Sequence, residues 1–199
     1  MICATALVLL MDVSGSIDDS EYRQQIQGTA QAFRDPGIQN IITRQGPVAV
    51  SVVLFSTTAR TLIGWRVLRT RQEMQAFATE IEGINRPFAF STNLLAGLNA
   101  SLDLLESAPC EAENRIVDVS GDGPHDGTGN IEEGRDRAIR MGVRINALAI
   151  ADPEFNTSEY FRNHVATPGG LVVGAYGYEH YAYSIRAKIT LELAGWPRR

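Results

Sequence analysis

An apolar run over residues 4–11 ends at a carboxylate and two hydroxyls, and this junction constrains the fold more than any other feature of the chain. Only Thr5 interrupts the run, which is typical of a strand buried on both faces of a parallel sheet. Asp12, Ser14 and Ser16 follow directly. Because open parallel sheets bind ligands at the carboxyl ends of their strands, we expect these side chains to meet at such an edge. Their oxygen atoms suit a hard cation such as magnesium.

The length and composition of the chain favour one α/β domain over residues 1–199. Of the 199 residues 44% are hydrophobic, which is enough for one sizeable core and short for two. The formal net charge is -5 and the arginines are scattered, so no basic stripe could track a nucleic-acid backbone. No apolar stretch reaches the roughly 18 to 20 residues that a membrane-spanning helix needs. We therefore expect neither a nucleic-acid partner nor a membrane span.

Segments with strand patterns alternate with segments of helical spacing along the chain. Further strands are predicted at residues 48–55, 60–65, 116–120, 143–150 and 171–173, of which 60–65 is short enough to be an edge strand. Helices are predicted between a cap at residues 18–20 and residue 35, and at 71–84, 94–107, 131–141, 160–165 and 178–193, with a short helical turn at 38–42. This alternation implies a mainly parallel sheet covered by helices on both faces.

Two later loops also carry polar side chains at the ends of predicted elements. Ser91 or Thr92 is a plausible N-cap of the helix at 94–107. Asp122 follows the strand at 116–120, and His125 and Asp126 come next, which fits a solvated loop better than a place on the rim of a site. Within that strand, Asp118 must be hydrogen-bonded or paired if it is buried.

These positions together resemble the von Willebrand factor A domain. The resemblance lies in Asp12-x-Ser14-x-Ser16 after the first strand, Thr92 before a mid-chain helix, and Asp122 after the next core strand. In that family they form a metal-ion-dependent adhesion site (MIDAS). The resemblance implies a Rossmann-like fold with a six-stranded, mainly parallel sheet and one antiparallel edge strand. It also implies Mg²⁺, or Mn²⁺ or Ca²⁺, as the metal that these five side chains hold.

Two details of the motif are closer to a bacterial branch of the family than to integrin-type domains. Ser120-Gly121 precedes Asp122, where the commoner pattern has a threonine directly before the aspartate. Asn93 follows Thr92, where a small residue is usual.

The two cysteines, Cys3 and Cys110, cannot form a zinc site by themselves. On the residues alone, two unrelated buried thiols are as reasonable as a disulfide. In the fold that the chain resembles, the first strand and the strand at 116–120 are parallel neighbours, so both cysteines lie at one end of the sheet. The resemblance thus implies a Cys3–Cys110 disulfide and a periplasmic or secreted protein. The first apolar run has no signal-peptide features, so we expect any export signal to precede this sequence.

Neutral hydroxyl ligands leave a cation under-neutralised and able to accept an acidic group. The resemblance therefore implies a binding module, not an enzyme, whose partner is a protein or peptide that presents a carboxylate. A metal-dependent phosphatase with Asp12 as nucleophile is the first alternative, although Ser14 stands where such chemistry usually needs a second carboxylate. A structural subunit with a non-functional metal site is the second. The sequence contains no Gly-x-Ser-x-Gly elbow, P-loop or dinucleotide fingerprint.

Overall fold

Six strands form one sheet in the part of the chain that the computed structural model describes, residues 1–87 and 89–195. The strands are β1 (Ile2–Asp12), β2 (Val48–Phe55), β3 (Ala59–Leu68), β4 (Glu111–Gly121), β5 (Arg144–Ile150) and β6 (Val172–Ala175). Their order across the sheet is β3-β2-β1-β4-β5-β6, and each neighbouring pair is parallel except β2 with β3. The predicted sheet with one antiparallel edge strand is confirmed.

The described residues contain seven α-helices, of which the first six lie between strands and the last follows β6. They are α1 (Asp19–Arg34), α2 (Pro36–Gln45), α3 (Arg71–Glu82), α4 (Leu94–Glu106), α5 (Ile131–Arg140), α6 (Thr157–Tyr160) and α7 (Tyr181–Leu193). A π-helical turn, Phe161–Val165, continues α6, and a 3-10 turn, Tyr178–His180, leads into α7. None of the described helices is long and apolar enough to cross a membrane.

Different helices cover the two faces of the central strand β1. Leu7 and Leu9 belong to an apolar core that includes residues of α1, α2, α3 and α7. Val8 and Leu10 belong to a second core that includes residues of α4 and α5. Because successive side chains of a strand point to opposite faces, a strand covered on both sides needs an unbroken apolar run. The apolar run over residues 4–11 predicts a strand covered on both faces, and this prediction is confirmed.

The strand β4 begins earlier than its apolar residues predict. Pairing with β1 starts at Ile2 opposite Glu111, whereas the sequence pattern indicates a strand only from Ile116. Four of the residues 111–115 are polar and none of the five is buried, so hydrophobicity does not reveal this part of the strand. Backbone hydrogen bonds to β1 extend the strand here. The strand β3 is likewise longer than predicted, at Ala59–Leu68.

The helix α2 is a full helix and not the short turn predicted at 38–42. Asp35 ends α1 and also caps α2, because its carboxylate accepts hydrogen bonds from the backbone N–H groups of Gly37 and Ile38. Pro36 occupies the first turn, where its missing N–H costs nothing. Asp35 and Pro36, which indicate the end of α1, therefore also begin α2.

A disulfide joins Cys3 to Cys110, as the resemblance implies, with their Cα atoms 5.9 Å apart. Cys3 lies at the amino end of β1 and Cys110 immediately precedes β4. The bridge therefore lies at the opposite end of the sheet from Asp12.

Candidate metal site

The loop after β1 is held by hydrogen bonds to its own backbone and to its neighbours. Asp12 is only 1% exposed, and its Oδ1 accepts a hydrogen bond from the Ser14 N–H at 2.7 Å. The Asp12 carbonyl accepts one from Gln25 Nε2 at 2.8 Å, and the Val13 N–H donates to the Phe55 carbonyl of β2 at 2.9 Å. The loop is thus tied to α1 and β2 on either side.

A chain of oxygen atoms joins this loop to the loop after β4. The hydroxyls of Ser14 and Ser16 are 3.2 Å apart, and the Ser16 hydroxyl donates to Asp122 Oδ1 at 3.0 Å. The Tyr178 hydroxyl is 3.5 Å from the other carboxylate oxygen of Asp122. The Asp122 carbonyl accepts from the Thr157 hydroxyl at 2.9 Å. Four of the candidate ligands, Asp12, Ser14, Ser16 and Asp122, therefore lie together at the carboxyl ends of β1 and β4.

The second oxygen of the Asp12 carboxylate, Oδ2, is buried and has no hydrogen-bond partner among the described residues. Gly121 makes room for it, since a Cβ at that position would lie 3.1 Å from Asp12 Oδ2. Burial raises the pKa of Asp12 to about 7, hydrogen bonding from Ser14 opposes the rise, and the charges of Asp122 and Asp126 add to it. A bound cation would neutralise this carboxylate, so the residues present fit a divalent metal.

The carboxyl group of Asp122 is also partly buried, although less so than that of Asp12. Burial raises its pKa above the usual value, while the hydrogen bond from Ser16 lowers it and the charge of Asp152 raises it. Among the described residues, no group of three or more His, Cys, Asp or Glu side chains is arranged to hold a metal. A cation at this site would therefore depend on two carboxylates and on neutral hydroxyls.

The loop before α4, which carries Thr92, packs against the other two loops. The Phe90 carbonyl accepts a hydrogen bond from the Gly15 N–H at 2.6 Å. Ser56, at the end of β2, holds the same loop by accepting from the Phe90 N–H at 2.7 Å through its hydroxyl and from the Asn93 N–H at 2.8 Å through its carbonyl. The structure thus brings the Asp12, Thr92 and Asp122 loops to one end of the sheet.

The N-cap of α4 is Asn93, and the expectation of Ser91 or Thr92 is wrong. Asn93 Oδ1 accepts a hydrogen bond from the Ala96 N–H at 3.1 Å. An amide caps a helix as well as a hydroxyl does, and Asn93 is one residue closer to the first turn. Capping therefore does not use the Thr92 hydroxyl, which stays a candidate ligand.

Asp126 and Arg86 also contact the site. The sequence favoured a solvated loop over the rim of a site for Asp126, and it did not single out Arg86. Asp126 is exposed, as expected of a loop, but its Oδ1 also accepts a hydrogen bond from the Thr92 N–H at 2.5 Å. Arg86 donates from one nitrogen to the carbonyls of Val13 at 3.1 Å and Ser14 at 2.7 Å. Asp126 lies in the loop after β4, four residues beyond Asp122, whereas Arg86 neither follows a strand nor fits a motif spacing and has no sequence signal. His125 is half-buried, which departs from the solvated loop expected for it.

Comparison with families and solved structures bears on the fold. The model of the family described as "Protein of unknown function (DUF1194)" matches residues 2–197. No curated protein matches the sequence. Solved structures match over nearly the whole chain, at identities that establish the fold alone.

Three of these structures illustrate the match. Proximal thread matrix protein 1 from the mussel byssus, with a zinc-occupied MIDAS motif, has a TM-score of 0.73 and 17% identity, covering 96% of this chain and 48% of its own. The von Willebrand factor type A structure from Catenulispora acidiphila has a TM-score of 0.70 and 15% identity, covering 96% and 43%. The vWF domain of a type V pili tip protein from Porphyromonas gingivalis has a TM-score of 0.70 and 8% identity, covering 99% and 97%.

The chain spans less than half of the mussel and Catenulispora proteins and nearly all of the Porphyromonas domain. All three have TM-scores of 0.70 or more over at least 96% of this chain, and the family model covers almost every residue. The chain therefore belongs to the DUF1194 family, and its fold is that of a von Willebrand factor A domain.

Proposed function

We propose that this protein is a binding module that holds a divalent cation and uses it to capture an acidic group of a protein partner. The cation would be held by Asp12, Ser14, Ser16, Thr92 and Asp122, with Mg²⁺ as the expected metal and Mn²⁺ or Ca²⁺ as substitutes. The observation that carries the proposal is the buried Oδ2 of Asp12, which has no hydrogen-bond partner within residues 1–87 and 89–195 and lies beside a chain of hydroxyls that ends at Asp122.

The charge balance of the site explains how it could recognise a partner. Asp12 and Asp122 bring two negative charges, and the three hydroxyls are neutral. When bound, the cation supplies a positive charge that a carboxylate from outside can approach. The chain's own residues orient the site, since Gln25 fixes the Asp12 backbone and Ser16 joins the two acidic loops. The zinc-occupied MIDAS motif of the mussel protein supports a divalent cation in a domain of this fold.

We also propose that the protein is not an enzyme and acts outside the cytoplasm. Ser14 occupies the position where a phosphatase with an aspartate nucleophile needs a second carboxylate. The related structures include a byssus matrix protein and a pili tip protein, which supports an adhesive role. The Cys3–Cys110 disulfide supports an oxidising compartment, periplasmic or extracellular.

Metal binding is the first test. We expect millimolar Mg²⁺ or Mn²⁺ to raise the melting temperature, because a ligand that binds only the native state stabilises it, by about 2.7 kcal/mol at a hundredfold excess over Kd. Asp12→Asn should abolish this response and keep the fold, since the amide still accepts from the Ser14 N–H. Asp136→Ala, which removes an exposed carboxylate of α5, is the matched control and should respond like the parent.

The outcomes separate the three functional hypotheses. An unchanged melting temperature together with no heat in calorimetry would reject the metal site and favour the structural subunit. Hydrolysis of p-nitrophenyl phosphate that depends on Mg²⁺ and is lost in Asp12→Asn would favour the phosphatase. A protein captured from native extracts with Mg²⁺, but not with a chelator or by Asp12→Asn, would support the binding module.

A further inference from the structure

We propose that Asp126 is a positioning residue that holds Thr92 at the cation site, an inference that rests on the proposed function. Asp126 lies beyond the motif residues and is not among the five candidate ligands. Its role would be to fix the loop before α4 against the loop after β4, so that the Thr92 hydroxyl faces the cation in a set orientation.

The contact between the two residues is reciprocal. Asp126 Oδ1 accepts a hydrogen bond from the Thr92 N–H at 2.5 Å, and the Asp126 N–H donates to the Thr92 carbonyl at 3.0 Å. Both backbone polar groups of Thr92 are therefore bonded to one residue of the neighbouring loop, and the Thr92 carbonyl also accepts from the Leu94 N–H at 3.1 Å. A hydrogen bond to a carboxylate is about twice as strong as one between neutral groups. Asp126 thus contacts the backbone on both sides of the Thr92 side chain, and its carboxylate is the partner of the Thr92 N–H.

The next residue shows that the two loops must approach closely. A Cβ on Gly127 would lie 2.5 Å from Asn93 Cγ, which is too close for any side chain. Asn93 in turn caps α4. The pair Asp126-Gly127 therefore lies against the pair Thr92-Asn93, and the contact joins the helix that follows Thr92 to the loop that carries Asp122.

Such a contact matters most for a ligand like Thr92. A neutral hydroxyl attracts a cation weakly and contributes to binding only when its oxygen is already in place. Residues that orient metal ligands typically change the affinity for the metal by about 10- to 100-fold when they are removed. Gly15 and Ser56 hold the loop before α4 at Phe90 and Asn93, on either side of Thr92, whereas Asp126 bonds to the backbone of Thr92 itself.

The test is calorimetric titration with Mn²⁺ of the parent and three variants. Asp126→Ala should weaken binding about tenfold or more. Asp126→Asn keeps an oxygen for the Thr92 N–H, so we expect a loss of no more than about threefold from the missing charge. Asp152→Asn is the matched control: it removes a carboxylate that acts on Asp122 from the same end of the sheet, and should likewise cost no more than about threefold.

A double-mutant cycle separates positioning from a general effect on the fold. In a Thr92→Val background, Asp126→Ala should cause no further loss of Mn²⁺ affinity, because the residue acts through Thr92. In the metal-free protein, hydrogen exchange at the Thr92 amide should be faster in Asp126→Ala than in the parent. Equal exchange rates would overturn the inference.

The remaining outcomes distinguish this inference from the proposed function. If the parent binds Mn²⁺ and Asp126→Ala binds it equally well, the inference is wrong and the metal site stands. If Asp126→Asn binds Mn²⁺ as weakly as Asp126→Ala does, the loss of affinity comes from the missing charge and not from the hydrogen bond. Asp126 is then not a positioning residue. If the parent binds no Mn²⁺, the proposed function fails and the inference fails with it.

Discussion

Lys188 is fully buried between the sheet and α7, where it contacts the carboxylates of Asp118 and Glu192. Its Nζ lies 2.6 Å from Glu192 Oε1, which also accepts a hydrogen bond from Asn146 at 2.7 Å. The requirement that a buried Asp118 be paired is therefore met. Burial raises the pKa of Asp118 well above its usual value, and the charge of Glu192 adds to the rise. Burial alone would lower the pKa of Lys188, but the two carboxylates outweigh it and raise that pKa.

We expect Lys188→Met to destabilise the protein by about 3 to 5 kcal/mol, because it leaves two buried carboxyl groups without a cation. The loss should be larger at pH 8 than at pH 5. Without the ammonium, the pKa of Asp118 rises further above its unfolded value, so the native state holds more protons and loses stability as pH rises. Urea unfolding of parent and variant at both pH values measures this difference. Asp118→Asn is the control and should cost less, and a variant as stable as the parent would contradict the argument.

Neither this cluster nor the role of Asp126 could be predicted from the sequence, for the same physical reason. A lysine on a helix is usually exposed, and only the tertiary packing of α7 on the sheet shows that Lys188 is not. The sequence predicts that a buried Asp118 needs a partner, but it does not identify Lys188 as that partner. By contrast, Asp12, Ser14 and Ser16 end an apolar run, and that local pattern is enough to place them at the edge of the sheet.

At the scale of elements, α4 begins at a cap that also ties the helix to the end of β2. Asn93 Oδ1 accepts from the Ala96 N–H, while its side-chain nitrogen donates to the Thr57 carbonyl at 3.2 Å. We expect Asn93→Ala to lower the free energy of unfolding by about 1 kcal/mol or somewhat more, as loss of an N-cap does. Chemical denaturation measures the loss. Ser91→Ala should cost clearly less, and equal losses would argue against Asn93 as the cap.

The buried strand β2 and the capped helix α1 were predicted well, whereas the polar start of β4 and the full length of α2 were not. The strand β2 matches the prediction at both ends, because Gly46-Pro47 precedes it and all its residues are buried. The polar start of β4 exists only because β1 lies beside it, and α2 exists because Asp35 serves two helices. Hydrophobic spacing reports burial, so it does not detect structure that hydrogen bonds alone support.

At the scale of the whole molecule, the disulfide joins two neighbouring strands at the end of the sheet away from the candidate site. Replacing both cysteines, in Cys3→Ala/Cys110→Ala, should lower the free energy of unfolding by up to about 4 to 5 kcal/mol, the chain-entropy value for a loop of about a hundred residues. Urea unfolding measures the loss. A reductant should destabilise the parent and leave the variant unchanged. If Mn²⁺ binds the native state, the variant should keep its affinity, since the bridge does not contact the site loops.

The covalent loop closed by this bridge has a mechanical consequence. The two cysteines are 107 positions apart, and the segment between them carries Asp12, Ser14, Ser16 and Thr92, but not Asp122. Tension applied to the chain outside Cys3 and Cys110 passes through the sulfur–sulfur bond and does not extend the segment between them. Under load, the chain beyond Cys110 would therefore lengthen first. In a stretched domain, Asp122 would move away from the site, while the segment that carries Asp12 would keep its length.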